Sequence, residues 1–209
     1  MTDHPIIFST PMVSALIRGT KTQTRRVLKW QNSLLNGSPW RKDTKSLDWN
    51  WNDSWIDPGP SPAGNLGPYM KLPYGGTDPS WIDTVHRVYP KHQVGDRLWV
   101  RETWTHDGCA DGLTAYRADG AEPNHISCRW RSPIHMPRRL SRLTLTITHV
   151  QIRRLKDIGE ADAMAEGVSG PPYMSGFISL WNSINGADAW DKNPWVIVTS
   201  FTTDERNTR

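Results

Sequence analysis

A short basic segment near the start of the chain, RGTKTQTRR at residues 18–26, places Lys21 three positions before Thr24. A lysine whose pKa is lowered by burial or by neighbouring cations can accept the proton of a threonine hydroxyl and make it nucleophilic. Arg25 and Arg26 come next, and their positive charges should lower the pKa of Lys21 further. The segment is therefore a candidate catalytic site, although a solvated turn after a helix would have much the same composition.

The segment VRETW at residues 100–104 offers a second set of polar and aromatic side chains. Trp104 could stack on a nucleobase while Arg101 or Glu102 contacts the polar edge of that base. The same pattern also fits a strand whose tryptophan packs in the core and whose arginine and glutamate pair at the surface, so both interpretations stay open. Three arginines further along could bind phosphate or lie in a solvated loop: Arg138, Arg139 and Arg142.

Two His-x-x-Cys pairs form a possible metal-binding pattern. His106 and Cys109 make the first pair, and His125 and Cys128 follow after a gap of 15 residues. Four such ligands at this spacing fit a tetrahedral zinc site. The alternative is a chance pattern in a variable loop, and we favour that alternative.

Composition restricts the class of protein. The 209 residues suffice for one domain with a real core, or for a small domain with a large insertion. A net charge of +4 suits a polyanionic partner but is shared by many proteins without one. Two cysteines argue against a disulfide framework and favour a reducing cytoplasm. We expect no membrane partner, because no apolar run approaches the ~20 residues that span a bilayer, and the first nine residues lack a signal-peptide pattern.

Short strands outnumber helices in the predicted element order. We expect a short buried strand at residues 5–9, a helix that starts at Thr10 and Pro11 and ends at Gly19, and extended chain over 21–28. A turn is predicted at Gly95 and Asp96. Later strands are predicted at 98–103, 113–119, 142–155 and 193–201, and helices at 157–168 and 177–185, the first ended by Gly167 and the second near Gly186. The pattern indicates an α+β fold, most simply a small curved or closed β-barrel with helices packed on it.

Residues 29–92 interrupt this order. Six tryptophans are scattered there among Pro, Gly, Asp and Asn, without a period of 2 or 3.6: Trp30, Trp40, Trp49, Trp51, Trp55 and Trp81. A structureless loop of this length inside a compact domain is improbable. We therefore predict an ordered insertion with short elements, anchored by its tryptophans, within a single domain of residues 1–209.

Several motifs, taken in order, resemble the ASCH domain family. They are the helix, glycine and KTQT near the N-terminus, then GDRLWVRETW, ITHVQIRRLKDI, DAMAEGV and the late strand WVIVTSF. The longer segments VRETW, IHMPRRLSR and LWNSIN resemble the phage and prophage branch of that family. The resemblance covers most of residues 5–28 and 93–201, and it implies a PUA-like β-barrel fold without a metal or other cofactor.

One bacterial branch of this family hydrolyses N4-acetylcytidine with a lysine, a threonine three residues later and a glutamate further on. The resemblance carries these roles to Lys21 as base, Thr24 as nucleophile and Glu166 as the acid that protonates the departing nitrogen. Glu166 lies in the last turn of a predicted helix, where the helix dipole disfavours a negative charge. The remaining residues expected to contact substrate are Arg25, Arg26, Arg101, Glu102 and Trp104.

Three other functions stay open from the sequence. The same cleft and its basic rim could hold RNA without chemistry, since a PUA-like module can bind RNA, or a ribonuclease could occupy this fold. The tryptophan-rich insertion could also be the partner surface of a phage assembly protein. We favour a monomeric cytoplasmic enzyme that acts on a modified nucleoside or on RNA, because a pure RNA binder has no need for a carboxylate that faces a polyanion.

Overall fold

The computed structural model describes residues 2–28, 55–57, 68–73, 85–106, 114–120 and 129–204. Of the possible zinc ligands, Cys109, His125 and Cys128 lie outside these ranges, so the zinc hypothesis does too. The helices and strands, in chain order, are β1 (Asp3–Ile7), α1 (Thr10–Ile17), β2 (Gln23–Val27), β3 (Trp55–Asp57), β4 (Tyr69–Pro73), β5 (Val85–Val88), β6 (Arg97–Arg101), β7 (Trp104–Thr105), β8 (Ala115–Tyr116), β9 (Thr144–Arg154), α2 (Glu160–Ala165), α3 (Tyr173–Asn185) and β10 (Trp195–Thr203).

A five-stranded mixed sheet in the order β1-β6-β9-β10-β2 forms the centre of the fold. β1 runs parallel to β6, and the other neighbouring strands in the sheet are antiparallel. The predicted α+β class is confirmed. Within the described residues the sheet is not a closed barrel, because β1 and β2 are its two edges. The side chain of Arg26 nevertheless links these edges, since its Nη2 donates to the backbone oxygen of Ile7 at 2.8 Å.

The long strand β9 supplies the hydrophobic alternation that holds the sheet to its helices. Leu145 and Ile147 are buried at odd positions, whereas Val150 and Ile152 are buried at even ones. The pairing with β10 steps from His149 to Ile147 across one residue pair, so Thr148 is the extra residue of a β-bulge. The bulge lets Val150 pack in the same core cluster as Ile147 although their spacing is odd.

Two hydrophobic clusters pack helices against this sheet. The first joins α1 to the central strands and includes Val13, Leu16, Leu98, Val100 and Leu145. The second joins α2 and α3 to β10, through Ala163, Phe177, Trp181, Val196 and Val198. Full burial of a single Leu, Val or Phe side chain is worth about 1.5–3 kcal/mol, so the two clusters fix both helical regions on the sheet.

The start of the chain follows the sequence closely, with one exception. α1 begins at Thr10, and Gly19 ends the turn after it with a φ of 72°. This left-handed conformation suits a residue without a Cβ. The short strand predicted at residues 5–9 lies at Asp3–Ile7, and its predicted burial is wrong, because β1 is an edge strand and its Ile7 is 42% exposed.

Two predicted strands are shorter in the structure. The strand predicted at 98–103 ends at Arg101 as β6, and Glu102 and Thr103 separate it from β7. The segment 113–119 forms only the two residues of β8, followed by a 3-10 turn over Arg117–Asp119. Gly120 ends that turn with a φ of 75°.

The described part of the insertion contains a three-stranded antiparallel sheet in the order β3-β4-β5. Met70 on β4 is fully buried and packs with Leu28 and Ile152, which ties this small sheet to the main one. The side chains of the six insertion tryptophans lie outside the described part, so tryptophan anchoring stays a prediction.

Candidate active site

The backbone brings Lys21 and Glu166 together, although they are 145 positions apart in the sequence. After α1 the chain turns at Gly19, and Lys21 forms an isolated antiparallel bridge with Glu166, the residue that follows α2. The amide of Thr22 donates to the oxygen of Ala165 at 2.9 Å and fixes the register of the bridge. The position of both side chains is therefore set by backbone pairing.

Gly167 allows the end of α2 to approach this bridge closely. Its φ is 84°, and a Cβ at this position would lie 2.9 Å from the Cβ atoms of both Ala15 and Lys21. Real Cβ contacts are essentially never that short. The glycine in the DAMAEGV segment therefore has a packing role as well as a conformational one.

The Lys21 side chain is fully buried and is not exposed to solvent. Its Nζ donates to the backbone oxygen of Glu166 at 2.7 Å, to that of Gln23 at 2.8 Å and to Oε2 of Glu166 at 3.0 Å. Burial lowers the pKa of Lys21, the nearby Arg26 and Arg25 lower it further, and Glu166 opposes the shift. The lysine is thus a buried amine whose proton is held less tightly than in water.

Arg25 contributes to the same buried network. Its Nη1 donates to Oε1 of Glu166 at 3.4 Å and its Nη2 to Oδ2 of Asp162 at 2.8 Å. Nη1 also donates to the side-chain oxygen of Gln23. Asp162 and Glu166 are four residues apart, so they project from the same side of the α2 segment. Arg25 therefore holds the two carboxylates in place.

Thr24 and Glu166 line one cavity of about 440 Å³. Arg25 and Arg26 also line the cavity, and six of its lining residues belong to α3. The larger apolar side chains that line it include Met12, Phe177, Leu180, Trp181 and Ile184. The cavity thus combines apolar surface with a few charged groups, as small-molecule sites commonly do.

Thr24 lines the first cavity and is 5% exposed. Within the described residues, no hydrogen bond joins Nζ of Lys21 to Thr24. Thr24 also lines a second cavity of about 270 Å³, together with Arg26, His92 and Thr199. Because Thr24 contacts both spaces, it lies at the partition between them.

The structure does not bring Arg101, Glu102 and Trp104 to the first cavity. Glu102 is 1% exposed, and Arg142 contacts both of its carboxylate oxygens, at 2.9 and 3.0 Å. Burial raises the pKa of Glu102, and Arg142 opposes the shift. Trp104 is buried. The packing interpretation of VRETW therefore describes Trp104, but its surface pair of Arg101 and Glu102 is not observed, because Glu102 is buried against Arg142.

The arginines near this strand are also engaged with protein groups. The guanidinium of Arg101 lies 4.6 Å from the ring centroid of Trp99 and donates to the oxygen of Ile134 at 3.1 Å. Arg142 donates to Asp119 at 2.8 Å and lies 4.1 Å above the ring of Tyr116. Arg138 lies 5.7 Å from the same Trp99 ring.

Sequence reasoning missed the contribution of α3. Phe177 and Trp181 are four residues apart and both line the cavity, and this spacing is the only signal that could have indicated a shared face. Trp181 is 5% exposed, and its indole Nε1 has no hydrogen-bond partner among the described residues. An unpaired buried donor beside a cavity is a group that a ligand could satisfy.

No family model, curated protein or solved structure matches this chain. Among the described residues, no helix is long and apolar enough to cross a membrane. Any assignment of function therefore depends on the chemistry of the residues around the cavity.

Proposed function

We propose that this protein hydrolyses the amide of an N4-acylated cytidine, with N4-acetylcytidine as the test substrate. The observation that carries the proposal is that Thr24 and Glu166 line one cavity while Lys21 donates a hydrogen bond to Glu166. The resemblance to the ASCH domain points to the same three residues. A nucleophile, a base and an acid are the three groups that amide hydrolysis requires.

One internal proton transfer would prepare both the base and the acid. In the ion pair, Lys21 holds the proton and Glu166 is a carboxylate. Burial disfavours two charges, and moving the proton along the 3.0 Å hydrogen bond to Oε2 gives a neutral amine and a carboxylic acid. Arg25 opposes this transfer, because its charge 3.4 Å from Oε1 favours the carboxylate.

The reaction follows from that neutral pair. Lys21 takes the proton of the Thr24 hydroxyl as Oγ1 attacks the acyl carbonyl carbon. The tetrahedral intermediate collapses, the bond from carbon to N4 breaks, and Glu166 gives its proton to N4. Water then cleaves the acyl ester on Thr24, so that one acylcytidine and one water give cytidine and one carboxylic acid.

The nucleophile requires one rearrangement. All three N–H groups of the charged lysine are used, by Gln23 O and by two atoms of Glu166. When the proton has moved to Glu166, the amine gains a lone pair that can accept the hydroxyl proton of Thr24. Catalytic hydrogen bonds commonly tighten only in the substrate complex.

The cavity has features that suit a nucleobase. Phe177 and Trp181 supply flat apolar surface, and the unpaired Nε1 of Trp181 can donate to a base carbonyl. Arg26 lines the cavity, and the N–H groups that do not bond Ile7 could donate to a phosphate of an RNA substrate. We also propose that the sheet is of the PUA-like class, an idea supported by the Arg26 bond that links its two edges.

The experiment is turnover of N4-acetylcytidine, measured as release of cytidine and acetate by chromatography. We expect Lys21→Met and Glu166→Gln to lose at least about 100-fold in kcat/KM, as is usual for general acid–base groups. Thr22→Val is the matched control, because Thr22 lies in the same segment with an exposed side chain. Undiminished turnover in both variants would exclude this mechanism.

A binding module without chemistry is the second candidate. It is favoured by one observation, that Nζ of Lys21 is fully hydrogen-bonded and makes no bond to Thr24 among the described residues. Such a module would bind single-stranded RNA with an affinity that falls as salt rises. Loss of RNA binding in Arg26→Gln, together with no turnover of any acylated nucleoside by the unmodified protein, would favour this function.

A further inference from the structure

A cluster of two histidines and one aspartate lies outside the candidate active site, at the β1 edge of the main sheet. Each of His4, His92 and Asp96 offers one ligand atom, and these atoms lie within 4.8 Å of one another. Nε2 of His4 lies 3.7 Å from Oδ2 of Asp96, and the two imidazole rings are 4.6 Å apart between centroids. Among the described residues, these three form the one cluster of His, Cys, Asp or Glu side chains that is close enough to hold a metal ion.

The carboxylate of the cluster is held firmly. Oδ1 of Asp96 accepts the backbone N–H of Thr2 at 3.0 Å, and Oδ2 accepts that of Gln93 at 3.0 Å. The backbone of the same turn is bonded to β9. The N–H of Gly95 donates to the oxygen of Ile147, and the oxygen of Asp96 accepts the N–H of Ile147, both at 2.9 Å. A carboxylate fixed in this way is an oriented ligand and not a mobile surface group.

His92 has a ring nitrogen without a partner, and a metal ion could bind that nitrogen. Its Nδ1 is buried and has no hydrogen-bond partner among the described residues. A buried polar atom without a partner in a folded protein calls for an explanation, and a bound ion is one of the common explanations.

The three side chains need to move only slightly toward one another to bind a metal ion. Ligand atoms in a tetrahedral zinc site with bonds near 2.0 Å are about 3.3 Å apart, so each of these three groups would move inward by less than about 1 Å. Two imidazoles and one carboxylate are ligands that zinc and similar divalent transition metals accept, with water in the fourth position. Lys91, next to His92 in the sequence, opposes a cation and should make the site weaker than a four-ligand structural site.

We propose that His4, His92 and Asp96 bind a divalent transition metal of the zinc class, with water as the fourth ligand. The ion joins the N-terminal strand β1 to the turn that precedes β6. None of its three ligands lines the first cavity, and the proposed hydrolysis assigns the ion no step. The site is distinct from the His-x-x-Cys pattern, three of whose residues lie outside the described ranges.

The test uses the untagged full-length chain, because a histidine tag would itself bind the metal. After treatment with a chelator and dialysis, Zn²⁺ is titrated by calorimetry and Co²⁺ by visible absorption. We expect one equivalent of metal, a Co²⁺ spectrum without a thiolate charge-transfer band, and a Tm that rises with Zn²⁺. His4→Ala and His92→Ala should each weaken Zn²⁺ binding by at least about 100-fold. Removing a residue that only hydrogen-bonds to a metal ligand already lowers metal affinity by about 10–100-fold, and these variants remove a ligand itself.

Two controls separate this site from others. His149→Ala removes an exposed histidine of β9 and should leave Zn²⁺ binding unchanged. The double variant Cys109→Ser/Cys128→Ser should also bind one equivalent. If His92→Ala fails to fold, His92→Gln replaces it as a polar substitute of similar size. The proposal is overturned if the unmodified chain binds Zn²⁺ no better than His4→Ala, or if only the double cysteine variant loses the metal.

Discussion

Nζ of Lys21 lies 3.0 Å from Oε2 of Glu166, and the two side chains are 0% and 5% exposed. Burying a charged lysine and a charged glutamate costs desolvation free energy. Replacing such a pair by well-packed apolar residues of similar volume often leaves a protein equally stable. The proposed hydrolysis assigns this pair a chemical role at the adjoining cavity, and the alternative, a role in stability, can be tested.

The first prediction concerns the stability of this pair. Glu166→Leu leaves a buried ammonium without its partner and should lower the free energy of unfolding by about 3–5 kcal/mol. Lys21→Met/Glu166→Leu removes both charges and should recover most of that loss. Urea unfolding of the three proteins measures the effect. A double variant as unstable as Glu166→Leu would show that the pair stabilises the fold in its own right.

The second prediction is a pH dependence that belongs to Lys21. Burial lowers its pKa below the ordinary value of 10.5, which applies to the unfolded chain. Between these two pKa values the unfolded chain holds one more proton at this group, so the free energy of unfolding should rise with pH in that window. Below the folded pKa, both states are protonated and the penalty is fully present.

Lys21→Met isolates this contribution, because the other titrating groups cancel in the comparison with the unmodified protein. Urea unfolding from pH 7 upward should show the unmodified protein gaining stability relative to Lys21→Met. A difference that is constant, or that falls as pH rises, would contradict a lowered pKa.

The third prediction concerns Gly167. An alanine there must take a φ of 84° and places its Cβ 2.9 Å from the Cβ atoms of Ala15 and Lys21. Gly120→Ala is the matched control, because Gly120 has a φ of 75° and open space around the new Cβ. Overpacking should make Gly167→Ala less stable than Gly120→Ala by about 1–3 kcal/mol. Thermal unfolding measures this difference, and equal losses would mean that the close approach is not needed.

The fourth prediction separates Glu102 from substrate binding. Glu102→Gln breaks the contact with Arg142, a half-buried guanidinium, and should cost about 2–4 kcal/mol of stability because the remaining charge loses a partner. The KM for N4-acetylcytidine should not change, since Glu102 does not line the cavity. A raised KM in the folded variant would restore the base-contact interpretation of VRETW.

Much of the fold can be predicted from the sequence, because local signals agree with the observed elements. The proline after Thr10, the glycine at position 19 and the alternation in β9 each mark an element correctly. The predicted burial of the first strand is wrong because the sequence does not tell which strand lies at the sheet edge. The bulge at Thr148 could not be predicted, since it depends on the register with β10.

The candidate site, like the fold, could be predicted from the sequence only in part. Lys21 and Thr24 could be identified from their spacing, but Glu166 depended on a family resemblance, because nothing local indicates its partner 145 positions away. Arg25 is predicted to contact substrate, and this stays a prediction: it lines the cavity and also holds Asp162 and Glu166. Glu102 could not be assigned because its partner Arg142 lies 40 positions further on. Burial and long-range pairing decide these roles, and neither is visible in a single sequence.

The most direct test of the proposed hydrolysis is the turnover of N4-acetylcytidine by Thr24→Val beside Thr22→Val. Both variants replace a threonine hydroxyl by a methyl group in the same segment, but only Thr24 lines the cavity. We expect Thr22→Val to keep the unmodified kcat/KM, and Thr24→Val to lose at least about 1,000-fold, as expected when a nucleophile is removed. Equal release of cytidine by the two variants would contradict the role of Thr24.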